Sequence, residues 1–165
     1  MWIYLLRHGV AEDLRAGMDD GDRALTEEGW QKLRAASGSW RRLVRRPSVV
    51  VTSPLLRARE TAEVFVETTG RPADLRVDAC LEPIAPLSHA TTMLEGLLLE
   101  GTESVALIGH EPQLGYLLGT LLTGQERLAV PLKKGMLVGL QTRGATSLLA
   151  GLRFCLSQKA AAKVT

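Results

Sequence analysis

The chain has 165 residues and a mass of 17.9 kDa, the size of one ordinary domain, so residues 1–165 are read as a single domain. Hydrophobic residues make up 45% and charged ones 23%, enough apolar material for a buried core and too much for a disordered chain. Twenty Lys and Arg against 18 Asp and Glu leave a net charge of +2, too near balance for wholesale capture of nucleic acid or a membrane surface.

Cys80 and Cys155 are too few for a disulfide scaffold and lack zinc-cage spacing. No apolar run approaches the roughly 20 residues of a membrane span. The start, MWIYLLRHG, has no basic segment before its short apolar run and does not read as a secretory signal, which leads us to expect a cytoplasmic protein. Within the basic total, Arg outnumbers Lys 15 to 5, and the planar fork of Arg suits phosphate or carboxylate.

Taken in order, Trp2-Ile3-Tyr4-Leu5-Leu6 has strand length and stops at Arg7-His8-Gly9. The stretch from Val10 to Ala24, with acids Glu12, Asp13, Asp19, Asp20 and Asp22, has no regular period and is expected to lie over a pocket mouth as an acidic rim. Thr26 then reads as a helix N-cap, with Glu27 and Glu28 in the first turn and Leu25 and Trp30 at the positions of a hydrophobic staple. Trp30, Leu33, Ser37, Trp40 and Val44 give that helix one packing face. The following Arg41-Arg42-Leu43-Val44-Arg45-Arg46 is read as a solvated helix end rather than a nucleic-acid patch.

Val49-Val50-Val51 is a second strand, stopping at Thr52-Ser53-Pro54, and Pro54 is placed at the first position of the next helix. Met93, Leu94, Leu97 and Leu98 mark a short helix after Ser88. Val105-Ala106-Leu107-Ile108 is a third strand, stopping at Gly109-His110-Glu111-Pro112, and Pro112 is again placed at a helix start. Met136 to Gln141 and Thr146 to Leu152 read as two strands around Thr142-Arg143-Gly144-Ala145, and Lys159 to Thr165 as a frayed end. Continuous short apolar runs bounded by turn residues suit strands covered on both faces, so the expectation is an α/β domain with helices on both sides of a mostly parallel sheet.

In such sheets ligands bind outside the carboxyl ends of the strands. Arg7 and His8, Ser53 with Arg57 one turn on, and His110 all fall there. Two histidines and two arginines at one sheet edge would form a cationic hole suited to a compact dianion, phosphoryl above all. His89, before a helix, reads as a surface residue, and Cys80 and Cys155 as inert thiols. A metal centre built on His8, His89 and His110 finds no support in their spacing.

Arg7-His8-Gly9 after an N-terminal strand resembles the first motif of the histidine phosphatase (phosphoglycerate mutase-like) superfamily. The stretch Ser53-Pro54-Leu55-Leu56-Arg57-Ala58-Arg59-Glu60-Thr61-Ala62 resembles its second motif, and His110 after a strand its third. The short length and the forms RHGVAE and GHEPQLGYLL look most like the SixA-type phosphohistidine phosphatases. The resemblance implies a three-layer α/β/α sandwich with a mostly parallel central sheet. It also implies His8 as the nucleophile that becomes a phosphohistidine, with Arg7, Arg57 and His110 holding phosphoryl oxygens and no metal or other cofactor required.

Larger relatives carry a glutamate that protonates an alkoxide leaving group. Here Glu82 is the nearby carboxylate, either that acid or a surface glutamate beside prolines. Without such an acid a phosphohistidine is the better substrate, because an imidazole leaves with less help than an alkoxide. The implied partners are a phosphorylated protein or a small phosphorylated substrate, met by a monomer. The alternatives are a small-molecule phosphomonoesterase and a non-catalytic phosphate-binding module; a mutase lacks room for its insertions.

Overall fold

The three apolar runs fold as three adjacent parallel strands. The computed structural model describes residues 1–163. Among these, the strands are β1 (Trp2–Arg7), β2 (Val49–Thr52), β3 (Asp74–Val77), β4 (Ser104–Gly109), β5 (Leu137–Thr142) and β6 (Ala150–Leu156). They form one sheet in the order β3-β2-β4-β1-β5-β6. The first four run parallel, whereas β5 and β6 are antiparallel to their neighbours.

The helices are α1 (Glu27–Leu43), α2 (Leu56–Thr69), α3 (Leu87–Leu99), α4 (Gln113–Thr123) and the short α5 (Gln158–Ala161). Alternation along the strands sends side chains to opposite faces and so builds two cores. Ile3, Leu5, Val51 and Leu107 pack with Leu94, Leu97 and Leu117 of α3 and α4. Tyr4, Leu6, Val50 and Ile108 pack with Leu33, Trp40, Ala58 and Phe65 of α1 and α2. The result is the three-layer α/β/α sandwich. Trp40 is fully buried, and truncating it to Ala would cost about 3–5 kcal/mol.

Helix α1 starts as its sequence dictates, with Thr26 Oγ1 accepting the Gly29 amide at 3.0 Å. Its buried face is carried by Leu33, Ala36, Ser39 and Trp40, and Ser37 lies at the margin, bonded to Arg34 O. Arg41, Arg42, Arg45 and Arg46 are exposed at and just beyond its end, where the Arg45 guanidinium lies 5.6 Å from the Trp2 ring centre and Arg46 donates to Arg71 O.

Four expectations need correction. The two prolines sit before the helices rather than inside them, since Leu55, in extended backbone, is the N-cap of α2 and Pro112 is itself the N-cap of α4. The second strand of the C-terminal pair runs from Ala150 to Leu156, four residues later than expected, because the connection from β5 is longer than a tight turn. Part of the expected frayed end is helical: Ser157 caps α5, and Ala161 is buried against the α1 layer. The stretch from Val10 to Ala24 also contains regular structure, a 3-10 turn at Asp20–Asp22 and a bridge from Ala11 to Leu25. Of the expected frayed residues, 164 and 165 lie outside the described residues. Among the described residues no helix is long and apolar enough to cross a membrane.

Candidate active site

Strand register brings the separated motifs together. Arg7 is paired with Gly109 across β1 and β4, and Thr52 with Ile108 across β2 and β4. The backbone continues this pairing one residue further, with His8 N donating to Gly109 O (3.1 Å) and Ser53 N to Ile108 O (3.0 Å). His8, Ser53 and His110 therefore leave neighbouring strands at the same level. The rings of His8 and His110 stand with centroids 4.9 Å apart. Both histidines are buried, and so is Arg57, in the first turn of α2 at 4% exposure.

The hydrogen bonds fix the chemistry available at each ring. A carbonyl can only accept, so the 2.7 Å contact between His8 Nδ1 and Gly9 O places the proton on Nδ1 and leaves the Nε2 lone pair free. Gly9 is itself held, its amide donating to Thr61 Oγ1 at 3.1 Å while Thr61 donates to Arg57 O at 2.7 Å. One side chain of the second motif thus fixes both the neighbour of His8 and the backbone of Arg57. His110 Nε2 lies 2.9 Å from Ser53 Oγ, and its buried Nδ1 has no partner among the described residues. Arg7 donates from Nη1 to Leu132 O at 2.7 Å, and its buried Nε also lacks a partner among the described residues.

Both rings are neutral at pH 7. Burial is the largest cause in each case, pushing His8 down to about 3 and His110 to about 2. The Gly9 bond opposes this for His8, while Arg57, Arg7 and Lys134 reinforce it. For His110 the neighbouring His8, Arg57 and Arg7 add to burial, and Asp20 opposes it. The two arginines disfavour a further positive charge, but they rank behind desolvation.

One contact was not legible in the sequence. Arg57 donates from Nη1 to Asp20 O (2.6 Å) and from Nη2 to Asp20 Oδ2 (2.8 Å), although the two residues are 37 positions apart. The other Asp20 oxygen accepts from Arg23 Nη1 at 2.7 Å, and Arg23 Nε donates to Glu12 O. These two guanidiniums hold the Asp20 carboxyl below its ordinary range. An oxyanion with its oxygens shared between two arginines is the arrangement a phosphoryl group would need. Arg23, one of two bases in an acidic stretch, is the functional candidate that sequence reasoning missed.

Glu82 is placed at the end of the 3-10 turn Ala79–Leu81, half-buried, beside a cavity of about 550 Å³ that Asp19, Asp20, Asp22 and Leu55 also line. It shares a cavity with the residue that covers Arg57 but is not among the groups bonded to Arg57 or the histidines. His89 is exposed on α3, and no three His, Cys, Asp or Glu among the described residues are grouped to hold a metal. The Cys80 thiol is pushed up to about 12 by burial and by Asp78, the opposite of activation.

A family model described as histidine phosphatase superfamily (branch 1) matches residues 3–85. An uncharacterised protein of Picosynechococcus sp. is 32% identical over 145 residues, which is 88% of this chain and 87% of that protein. Phosphohistidine phosphatase SixA of Escherichia coli K12 is 30% identical over 125 residues, 76% of each chain. Among solved structures, the protein histidine phosphatase SixA complexed with tungstate superposes with a TM-score of 0.86 at 25% identity, covering 96% of this chain and 98% of that one. A mycobacterial glucosyl-3-phosphoglycerate phosphatase superposes at 0.69 with 19% identity, covering 92% and 96%, and shares the fold.

Proposed function

The chain belongs to the histidine phosphatase superfamily and is a phosphatase, and on that premise we propose that it dephosphorylates phosphohistidine in a partner protein through a phosphohistidine formed on His8. The observation that carries this reading is the His8 Nδ1–H bond to Gly9 O, which points to Nε2 as a neutral, preoriented nucleophile in a cationic pocket.

In the first step His8 Nε2 forms a bond to phosphorus as the bond from phosphorus to the substrate imidazole breaks, and the substrate ring, already protonated on its other nitrogen, departs as neutral imidazole. In the second, water attacks phosphorus, the bond to Nε2 breaks, and orthophosphate leaves. Dividing the displacement in two lowers each barrier. The imidazolium character that His8 gains while phosphorylated is stabilised by the Gly9 carbonyl on Nδ1–H. Phosphoryl transfer depends on charge stabilisation and positioning more than on bond-making by the protein. Arg7, Arg57 and His110 are the groups we assign to the non-bridging oxygens, and Arg23 joins them where Asp20 now lies. The unpaired His110 Nδ1 and Arg7 Nε support this, since a buried polar atom without a partner is costly unless a ligand satisfies it. The donor set offers positive charge from guanidinium groups, so no metal enters the proposal. The 30% identity to a phosphohistidine phosphatase favours phosphohistidine as the substrate class.

A specific observation speaks for the alternative, a phosphomonoesterase acting on small molecules: Glu82 lines the cavity that opens beside Asp20, where it could protonate an alkoxide. The test is a substrate panel of a phosphohistidine protein, sugar phosphates and aryl phosphates, run on wild type and His8→Ala. The proposal requires the highest kcat/KM on the phosphohistidine protein and no turnover by His8→Ala. A preference for sugar phosphates would transfer the assignment to the alternative.

A further inference from the structure

Lysine is scarce in this chain, and it is not scattered. Of five lysines, Lys32, Lys133, Lys134 and Lys159 line a single surface cavity of about 420 Å³. They arrive from three places in the fold: α1, the segment before β5, and α5. Lys32 has Glu28 at 2.5 Å, and the other three have no ion-pair partner among the described residues. No acidic side chain lines the cavity among the described residues.

A second, independent feature marks the same cavity. Gln158 lines it, is 9% exposed, and its side-chain Nε2 is buried with no partner among the described residues. A buried amide donor without an acceptor is costly, and this one lies in the wall between the cavity and Gly135.

The cavity also shares a wall with the catalytic turn. The Gln158 amide packs so closely on Gly135 (φ 66°) that a Cβ there would lie 2.5 Å from Nε2. Gly135 N donates to the carbonyls of both Arg7 (3.1 Å) and His8 (3.0 Å). Lys134, the preceding residue, is near enough to His8 to disfavour its protonation.

We infer that this lysine-lined groove is the docking surface for an acidic segment of the phosphorylated partner protein, engaged beside the phosphohistidine while it sits over His8. The inference rests on the proposed substrate class and adds to it the character of the partner's surface. The choice of residue identifies the occupant. The phosphoryl pocket is built from Arg, whose rigid fork grips a phosphate in fixed geometry, whereas the groove is built from Lys, flexible point charges that meet dispersed carboxylates. Complementary charge of this kind steers encounter and sets register.

The experiment is direct binding of a fluorescein-labelled ten-residue Glu/Asp peptide, read by anisotropy, with a Gly/Ser peptide as control and tripolyphosphate as competitor. Wild type binds the acidic peptide in a salt-sensitive manner and ignores the neutral one. Lys133→Glu/Lys159→Glu lowers that affinity about tenfold or more. Circular dichroism of the double variant, and its kcat/KM on free phosphohistidine, stay at wild-type values, while KM for an acidic phosphohistidine protein rises. Absence of peptide binding by wild type, undiminished binding by the double variant, or tighter capture of tripolyphosphate than of peptide in the groove would each overturn the inference. Peptide binding that depends on Lys133 and Lys159 in an enzyme unable to hydrolyse any phosphohistidine protein would uphold the acidic groove and refute the substrate reading alone.

Discussion

The His8 and His110 rings face one another across neighbouring parallel strands, with centroids 4.9 Å apart and planes inclined at 49°. Two imidazolium ions could not share that space beside Arg57, and the pocket resolves the conflict by keeping both rings neutral.

That neutrality has a measurable linkage. His8 and His110 are held at about 3 and about 2, whereas an unfolded imidazole titrates near 6.5. Between these values the unfolded chain binds more protons than the folded one. The stability present above the unfolded value is therefore lost progressively as pH falls through that window. Thermal melts at about pH 7.5 and about pH 5 should show a lower Tm at the acid end. A His8→Asn/His110→Asn variant should lose less on the same shift, and equal losses would contradict the assignment.

Asp20 occupies Arg57 and Arg23 through one carboxylate oxygen each, so an entering phosphoryl group has to replace it. The side chain is 46% exposed, which limits the strength of the contact. Asp20→Asn keeps the shape and removes the charge. Orthovanadate inhibition should become about two- to tenfold tighter, a range set by the modest worth of a half-exposed ion pair. Weaker inhibition would mean that Asp20 assists anion binding.

Arg57→Ala removes the buried guanidinium itself. By analogy with loss of one oxyanion donor, kcat should fall about 10²–10³-fold. Steady-state kinetics check this, with a thermal melt to show that the fold survives.

Glu82→Gln separates the leaving groups. An imidazole needs little acid assistance, and an alkoxide needs much, so kcat on phosphohistidine should change little while any alkyl phosphate activity falls about 10²-fold or more. Equal loss on both substrates would place Glu82 in phosphate binding or structure.

Gly29 ties the rim to the scaffold. A Cβ there would overlap the Val10 carbonyl oxygen, which accepts the Thr26 amide at the start of α1. Because that neighbour is backbone, Gly29→Ala should destabilise by about 1–3 kcal/mol, measured by denaturant unfolding. An unchanged midpoint would show that α1 and the rim shift freely.

What the sequence made legible was whatever rested on local pattern. The three buried strands, the Thr26 cap and the arrival of Arg7, His8 and His110 at strand ends follow from apolar runs meeting polar turns. Strand β3 was missed because it is an edge: Leu75 and Val77 are exposed, and its four residues carry no buried run. The displaced β6 has the same cause, with Leu152 half in solvent and the pattern weak. The Asp20–Arg57 contact and the lysine groove depend on tertiary packing of distant segments, which no periodicity encodes. Burial as the leading cause of the histidine shifts belongs to the same group.

The central claim is that His8 carries the phosphoryl group, and rapid quench with labelled substrate followed by peptide mapping tests it most directly. The account predicts a transient, acid-labile and base-stable label on the peptide containing His8, absent from His8→Ala. Label on any other residue, or turnover by His8→Ala at the wild-type rate, would contradict it.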